Sequence, residues 1–247
     1  MTKSARVVLG VDTAGRFGSI ALAEDGSASA WETLAPGEHS SGLSRAAERL
    51  LEKRGLRWGD LAGIAVSSGP GSFTGLRIGL SWAKGVCFGS SAKLTLVSAH
   101  DANARRHRGA GAWIAAVLQG ERGEVQTSLW RGGPEPARLW GPERVLERDL
   151  PSALREAAGR LAAAEAPAIA GPDLKPELRE SLTRAGYFLL DPGLPHAAAS
   201  ETPDPLPPTA AAVAELGDRN LLAGRSEDLA LAAPSYGRAP NARKPSS

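Results

Sequence analysis

The stretch Ser67-Ser-Gly-Pro-Gly-Ser-Phe-Thr-Gly-Leu-Arg-Ile-Gly-Leu-Ser-Trp-Ala-Lys-Gly85 constrains this chain more than any other. An apolar run, Ile64-Ala-Val66, leads into it, and apolar residues at helical spacing lead out. Between them Gly69, Pro70 and Gly71 call for a turn too tight for most side chains, because glycine alone takes positive φ without a Cβ clash. The pattern predicts strand, glycine-rich turn and helix. Such a turn aims backbone N–H groups at the helix start, which suits an anion or an acidic group of a partner. For the turn by itself, a tight connection with no ligand is the preferred reading. It is not a Walker A loop, since no Gly-Lys-Ser/Thr follows at the required spacing. Gly69-x-Gly71-x-x-x-Gly75 is also one residue too long for the dinucleotide fingerprint.

The helix is as informative as the turn. Gly75, Gly79 and Ala83 recur every four residues and make a stripe almost without side-chain bulk. Phe73, Leu76, Leu80 and Cys87 lie beside it, and Ile78, Trp82 and Val86 cover another face. Interior glycines cost roughly 1 kcal/mol each against alanine, so a close backbone approach is expected as compensation. Apolar groups around so much of the circumference favour a second partner beyond the chain's own sheet. Gly79 is then expected where the backbones of two chains meet, with Trp82 as a core residue or interface anchor.

Composition narrows the classes. The 247 residues suit one large domain or two modest lobes. Lys and Arg total 29 against 27 Asp and Glu, a net +2 that gives no sign of a nucleic-acid surface despite a pI near 8.9. No run of 18 apolar residues exists, and a strand-like segment begins close to Met1, so neither a membrane span nor a signal peptide is expected. Cys87, the single cysteine, excludes an internal disulfide and is expected to be a buried, inert thiol. A soluble cytoplasmic protein is expected.

Along the chain, 6–11, 18–23 and 28–34 read as strands, with Asp25-Gly26 as a hairpin turn between the last two. His39-Ser-Ser41 reads as the cap of an amphipathic helix running to about Gly55, with Leu43, Ala47, Leu50 and Leu51 on its apolar side. A strand at 63–67, the glycine-turn helix, a strand at 94–97 and a helix near 99–108 follow. Arg105-Arg-His-Arg108 reads as a solvated helix end and linker. Residues 113–118 and 124–130 read as strands, 152–165 as helix, 168–171 as strand, 175–185 as helix and 187–190 as strand. A proline-rich linker at 197–208, an alanine-rich helix at 209–222 and a mobile basic tail from Pro234 complete the chain. The expected organisation is a first lobe over 1–108 and a second over 109–200. Residues 201–247 form a linker, a helix returning to the first lobe, and the tail.

Catalytic signatures are missing. His39, His100, His107 and His196 are not spaced as a helical zinc pair, and Cys87 has no partner, so no metal site is expected. No Gly-x-Ser-x-Gly elbow occurs, and Ser72 and Thr74 read as helix caps, not nucleophiles.

Several segments resemble the TsaB (YeaZ) family, a bacterial subunit in the synthesis of the threonylcarbamoyl modification on tRNA adenosine. They are Leu9-Gly-Val-Asp-Thr-Ala14, Gly18-Ser-Ile-Ala-Leu-Ala23, Glu38-His-Ser40, Ser68 through Leu80, Ala83-Lys-Gly85 and Gly120-Glu-Arg-Gly-Glu-Val125. Pro234-Ser-Tyr-Gly-Arg238 is similar to a degraded Pro-x-Tyr-Leu-Arg segment of that family, while Gln119 and Gln126 stand where many relatives carry Asp and Tyr. The resemblance implies an α/β, actin-like ATPase-domain fold of the sugar kinase, Hsp70 and actin type, with two related lobes of mixed sheet and flanking helices.

It further implies a noncatalytic scaffold for threonylcarbamoylation of adenosine 37. Its partners would be a TsaD-like catalytic subunit and a TsaE-like ATPase, with a homodimer forming when the chain is alone. It would have no cofactor of its own, and tRNA would be met only through the complex. The implied interface comprises His39, Leu43, Leu50, Phe73, Leu76, Arg77, Gly79, Leu80, Trp82 and Ala83. A vestigial nucleotide site would comprise Asp12, Thr13, Ser19, Gly69 and Gly71. Asp12 at a strand end could hold magnesium, or could only satisfy turn backbone groups, the reading preferred here. An active actin-fold ATPase or small-molecule kinase is the alternative.

Overall fold

In the computed structural model, residues 5–120, 122–191 and 206–235 are described. Strands β1 (Val7–Asp12), β2 (Gly18–Glu24) and β3 (Ser27–Leu34) form an antiparallel meander. Asp25 (φ 47°) and Gly26 (φ 83°) supply the left-handed backbone that the β2–β3 turn needs. Helix α1 (Leu43–Lys53) follows, then β4 (Leu61–Gly69), α2 (Phe73–Phe88), β5 (Lys93–Ser98) and α3 (Ala99–Arg106). β4 and β5 add in parallel, giving the sheet order β3-β2-β1-β4-β5.

The second sheet is built from β6 (Trp113–Gln119), β7 (Glu124–Arg131), β8 (Ala137–Leu146) and the short β9 (Ala168–Ala170). Its order, β8-β7-β6-β9, repeats the first four positions of the other sheet, with two antiparallel pairings and one parallel. The lobes are thus related by topology without a readable sequence repeat. Helices α4 (Leu150–Arg160) and α5 (Pro176–Arg184) supply Leu150, Leu154, Leu178 and Leu182 to a core with Val117, Val125 and Leu129. The 187–190 segment contributes only an isolated bridge, Ile169 to Leu189.

β1 shows how one strand serves two layers. Val7, Leu9 and Val11 point to one face, where Leu43, Ala47 and Leu50 of α1 and Leu80, Ala83 and Cys87 of α2 bury them. Burial there pushes the Cys87 thiol up to about 11, so it stays protonated at neutral pH. On the other face Val8 meets Val213 of α6 (Thr209–Leu222), the last helix. α6 approaches to backbone distance: a Cβ at Gly10 would stand 2.5 Å from the Ala214 nitrogen. α3 completes this middle layer, its Ala102 packing with the α6 cluster and its Ala104 with Ile114 and Trp130 of the second sheet.

Several expectations are corrected. α1 begins at Leu43 behind Gly42, without a side-chain cap, because Gly42 donates to the Glu38 carbonyl (2.8 Å) and closes a turn first. β8 is an additional strand; its Pro142 obscures it in sequence but is tolerated at the sheet edge. α4 starts two residues early, with Pro151 in its first turn, and ends before Ala162, whose φ of 52° departs from helix.

The arginine run is no solvated linker: Arg105, Arg106 and His107 are all buried. Arg105 pairs with Glu215 (2.7 Å) and Glu135 (2.9 Å), and Arg106 with Asp191 (2.6 Å). Partners 30 or more residues away leave no local pattern to read. Most of the proline-rich linker and the tail from Tyr236 lie outside the described residues.

The glycine stripe of α2 also faces inward. A Cβ at Gly75 would fall on the Thr13 carbonyl, and one at Gly79 on the Thr13 hydroxyl, 3.6 Å from Val66. Its compensation is the β1–β2 turn of the same chain. Gly79→Leu is therefore expected to destabilise the isolated chain by about 1–3 kcal/mol or more through overpacking. Urea unfolding monitored by circular dichroism measures it; a variant as stable as the parent would remove this account of the stripe.

Candidate functional site: the cleft between the lobes

The ends of β1 and β4 from one lobe and β6 from the other converge on a cleft of about 460 Å³. Asp12, Ala14, Gly15, Arg16, His39, Gly71, Ser72, Asn103, Gln119 and Asp173 are among its walls. This is the crevice outside the carboxyl ends of parallel strands, where ligands of α/β sheets usually sit.

Each wall is fixed by local bonding. Ser72 caps α2 by accepting from Gly75 N–H (3.2 Å), as a serine before a helix should. Its own N–H donates to the Ala14 carbonyl (2.8 Å), and a Cβ at Gly71 would stand 2.6 Å from Ala14 Cβ. Thr13, buried, donates its hydroxyl to the Gly75 carbonyl (2.7 Å). The two turns are stitched together.

Asp12 lies at the cleft floor, accepting from Ala14 N–H (3.1 Å), and burial raises its pKa, with the Asp173 charge adding to the shift. Asp173, from the loop after β9, reaches across the cleft. Its Oδ2 accepts from Arg16 N–H (3.0 Å) and occupies the space that a Cβ at Gly15 would need. His39 Nε2 donates to the Gly15 carbonyl (3.2 Å).

Of the residues expected in a nucleotide site, Asp12 and Gly71 line the cleft. Thr13 is committed to α2, and the Ser19 hydroxyl accepts from Ala210 N–H (3.3 Å) at the start of α6. Gly69 holds φ 103° with the Ser235 carbonyl against it. These residues do not fit a phosphate group. The donor at the turn is taken by a carboxylate, and two acidic side chains share the space. Among the described residues no group of three or more His, Cys, Asp or Glu is placed to hold a metal.

Of the expected interface residues, Leu43, Leu50, Leu76, Leu80 and Ala83 are buried in the chain's own core, because the sheet needs an apolar cover there. Gly79 faces Thr13, and His39 stands at the cleft. Phe73 is 48% exposed, with the Arg77 guanidinium 3.9 Å from its ring centroid. Trp82 is half-buried, donating to Ser44 (2.9 Å) and tilted against Trp58. These three present α2 to solvent, and Phe88 at its end is 88% exposed.

Asp173, Asn103 and Asp191 escaped the sequence reading as site-forming residues. Only Gly171-Pro172-Asp173, a turn signal after a strand, marked any of them.

One serine–histidine pair occurs elsewhere. Ser128 Oγ lies 2.8 Å from His100 Nδ1 and accepts from Trp130 Nε1 (2.9 Å), so its hydroxyl donates to the imidazole. Both residues are buried and neither lines the cleft, so no substrate reaches them.

A family model described as TsaD, tRNA N6-adenosine threonylcarbamoyltransferase, matches residues 33–130. The tRNA threonylcarbamoyladenosine biosynthesis protein TsaB of Escherichia coli K12 is 32% identical over 156 residues, covering 57% of this chain and 65% of that protein. Its Bacillus subtilis 168 counterpart is 30% identical over 125 residues, 50% of this chain and 55% of that protein. The matches thus span less than two thirds of these relatives' own length. YeaZ from Pseudomonas aeruginosa superposes with a TM-score of 0.67 at 21% identity, over 94% of this chain and 99% of that one. A further solved structure, described as similar to peptidase YeaZ from Pseudomonas aeruginosa, gives 0.71 at 23%, over 94% and 100%. The fold is the two-lobed α/β fold of these structures. In sequence the chain is similar to TsaB proteins, and over residues 33–130 to the TsaD family model.

The buried histidine gives a pH signature. Burial pushes His100 down to about 4 from an ordinary 6.5, so the unfolded chain takes up this proton first. The stability it supports is complete above pH 6.5 and is lost as pH falls towards 4. About 2 kcal/mol should disappear between pH 7 and pH 5. His100→Gln should flatten that part of the curve in urea unfolding, and an unchanged slope would assign it to other groups.

Proposed function

We propose that this protein is a noncatalytic subunit in the biosynthesis of threonylcarbamoyladenosine in tRNA, acting through a complex with a TsaD-like catalytic subunit and a TsaE-like ATPase. Its similarity to proteins named for tRNA threonylcarbamoyladenosine biosynthesis supports the process. The observation that carries the noncatalytic role is the β1–β2 turn, held by Thr13, Gly75 and Asp173 of the chain itself where a kinase would need a phosphate. The alternative of an active ATPase or small-molecule kinase has no comparable support.

The partner surface in this reading is the solvent side of α1 and α2, with Phe73, Arg77 and Trp82 at its centre. Exposed aromatics beside arginine are the composition of interface hot spots. The same surface would pair two copies when the catalytic subunit is lacking, since exposed apolar patches favour burial. Leu43, Leu50, Leu76, Leu80 and Ala83 act beneath it, holding the helices in place. tRNA is met through the assembled complex, in the cytoplasm. No helix of the described residues is long and apolar enough to cross a membrane.

Phe73→Glu combined with Trp82→Glu should leave the fold intact and weaken capture of the TsaD-like partner by at least about tenfold, because hot-spot residues each carry roughly 2 kcal/mol or more. Co-purification and sedimentation measure this, and nucleoside mass spectrometry of tRNA from cells carrying only the variant should show reduced threonylcarbamoyladenosine. Undiminished partner capture would exclude this face. Steady ATP hydrolysis by the purified chain that vanishes in Asp12→Ala would replace the scaffold with the kinase reading.

A further inference from the structure

The cleft is unevenly supplied with hydrogen-bonding groups. Several of its donors are engaged: the Arg16 backbone N–H with Asp173, His39 Nε2 with the Gly15 carbonyl, Asn103 Nδ2 with the Ala99 carbonyl (2.8 Å), and Gln119 Nε2 with Glu147 (2.6 Å). Because both amide nitrogens face oxygen atoms, their orientations are fixed, and the remaining amide atoms are acceptors. Asn103, only 2% exposed, has no donor for its Oδ1, and Gln119 has none for its Oε1. Buried polar groups normally find partners, so these two stand out. Asp12 and Asp173 add two carboxylates to the same cavity, and Ala99, Val117, Leu118 and Pro172 give it an apolar side. The Arg16 guanidinium sits 5.7 Å from the Phe17 ring.

We propose that the interlobe cleft binds a small amphipathic cation, an ammonium or guanidinium group on a short methylene stem, held through Asp12, Asp173 and the Asn103 amide. A phosphate would meet two carboxylates there, whereas a cationic donor offsets the Asp12–Asp173 repulsion and gains charge-assisted hydrogen bonds. The stem finds Val117 and Leu118, and about 460 Å³ is within the range of small-molecule sites. The source is either a free amine or a basic side chain presented by a partner.

Proton linkage follows from the floor of the cleft. Burial holds the Asp12 carboxyl above its usual range, Asp173 reinforces this and Arg106 opposes it; His39 and Arg16 are the other charged or titratable groups lining the cavity. A bound cation favours the carboxylate. Binding therefore releases a proton while Asp12 is protonated, and affinity rises with pH through its titration.

Isothermal titration of the full chain with agmatine, with an acetyl-Gly-Arg-Gly-amide peptide, and with ADP and pyrophosphate tests this. Agmatine or the peptide should bind, with affinity reduced about tenfold or more in Asp12→Asn and in Asp173→Asn, as expected for loss of a charge-assisted contact. Agmatine alone binding assigns a free amine; the peptide binding as well assigns a partner's side chain. Asp12→Asn removes a buried carboxylate and is expected to fold; should it not, Asp173→Asn on its exposed loop carries the same test. Tighter binding of ADP or pyrophosphate than of either cation would overturn the proposal. So would no binding of either cation at millimolar concentration, or cation binding indifferent to both substitutions.

Discussion

Helix α2 rests on the β1–β2 turn through glycines, and the rest of the site depends on that contact. With no Cβ at Gly71, Gly75 and Gly79, the helix comes close enough for the Thr13 hydroxyl to bond the Gly75 carbonyl and for Ser72 N–H to bond Ala14. A bulkier stripe would lift the helix and open the turn. The same contact has two consequences on opposite sides of one helix. Inward, it closes the turn against the cleft; outward, it turns Phe73 and Arg77 to solvent.

The second constraint is the layer of α3 and α6 between the lobes. It is held by buried charges as well as by alanines and valines. Arg105 joins Glu215 on α6 to Glu135 in the second lobe, and Arg106 and His107 together hold Asp191. Burial alone would raise the Asp191 pKa, but hydrogen bonds and charge from His107 and Arg106 bring it below the usual carboxylate range. Asp191 in turn accepts from Gly171 N–H (3.0 Å), at the start of the loop that carries Asp173 into the cleft. Removing one member of such a buried set leaves an uncompensated charge, which costs more than the intact pair contributes. The acidic lip of the cleft is thereby tied to the junction between the lobes.

Legibility followed the range of the interactions. Asp25-Gly26 announced its hairpin because its two residues meet the backbone demand of the turn themselves. The helix at Thr209–Leu222 was readable to the residue, since an alanine-rich apolar run bounded by Pro208 carries its own start signal. β8 was not, because Pro142 argues against a strand and only its edge position permits one. His39 read as a helix-entry residue, yet its ring bonds the Gly15 carbonyl, 24 positions away in the chain. The arginine run carried the wrong sign of environment altogether: four basic residues in sequence look solvated until their carboxylate partners are known.

The sequence by itself determined the element types, the glycine turn and the smallness of one face of α2, because propensity, periodicity and backbone permissiveness act over a few residues. It also carried the resemblance to TsaB proteins, in motifs concentrated between Leu9 and Val125. Only the tertiary structure decided what that small face is for. A glycine stripe specifies that something comes close, not whether it is another chain or the chain's own Thr13-Ala14 turn. Likewise Asp173, Asn103 and Gln119 became one site only when two sheets of the same strand order closed on each other. The distances that make a cleft are set by contacts between residues far apart in the chain.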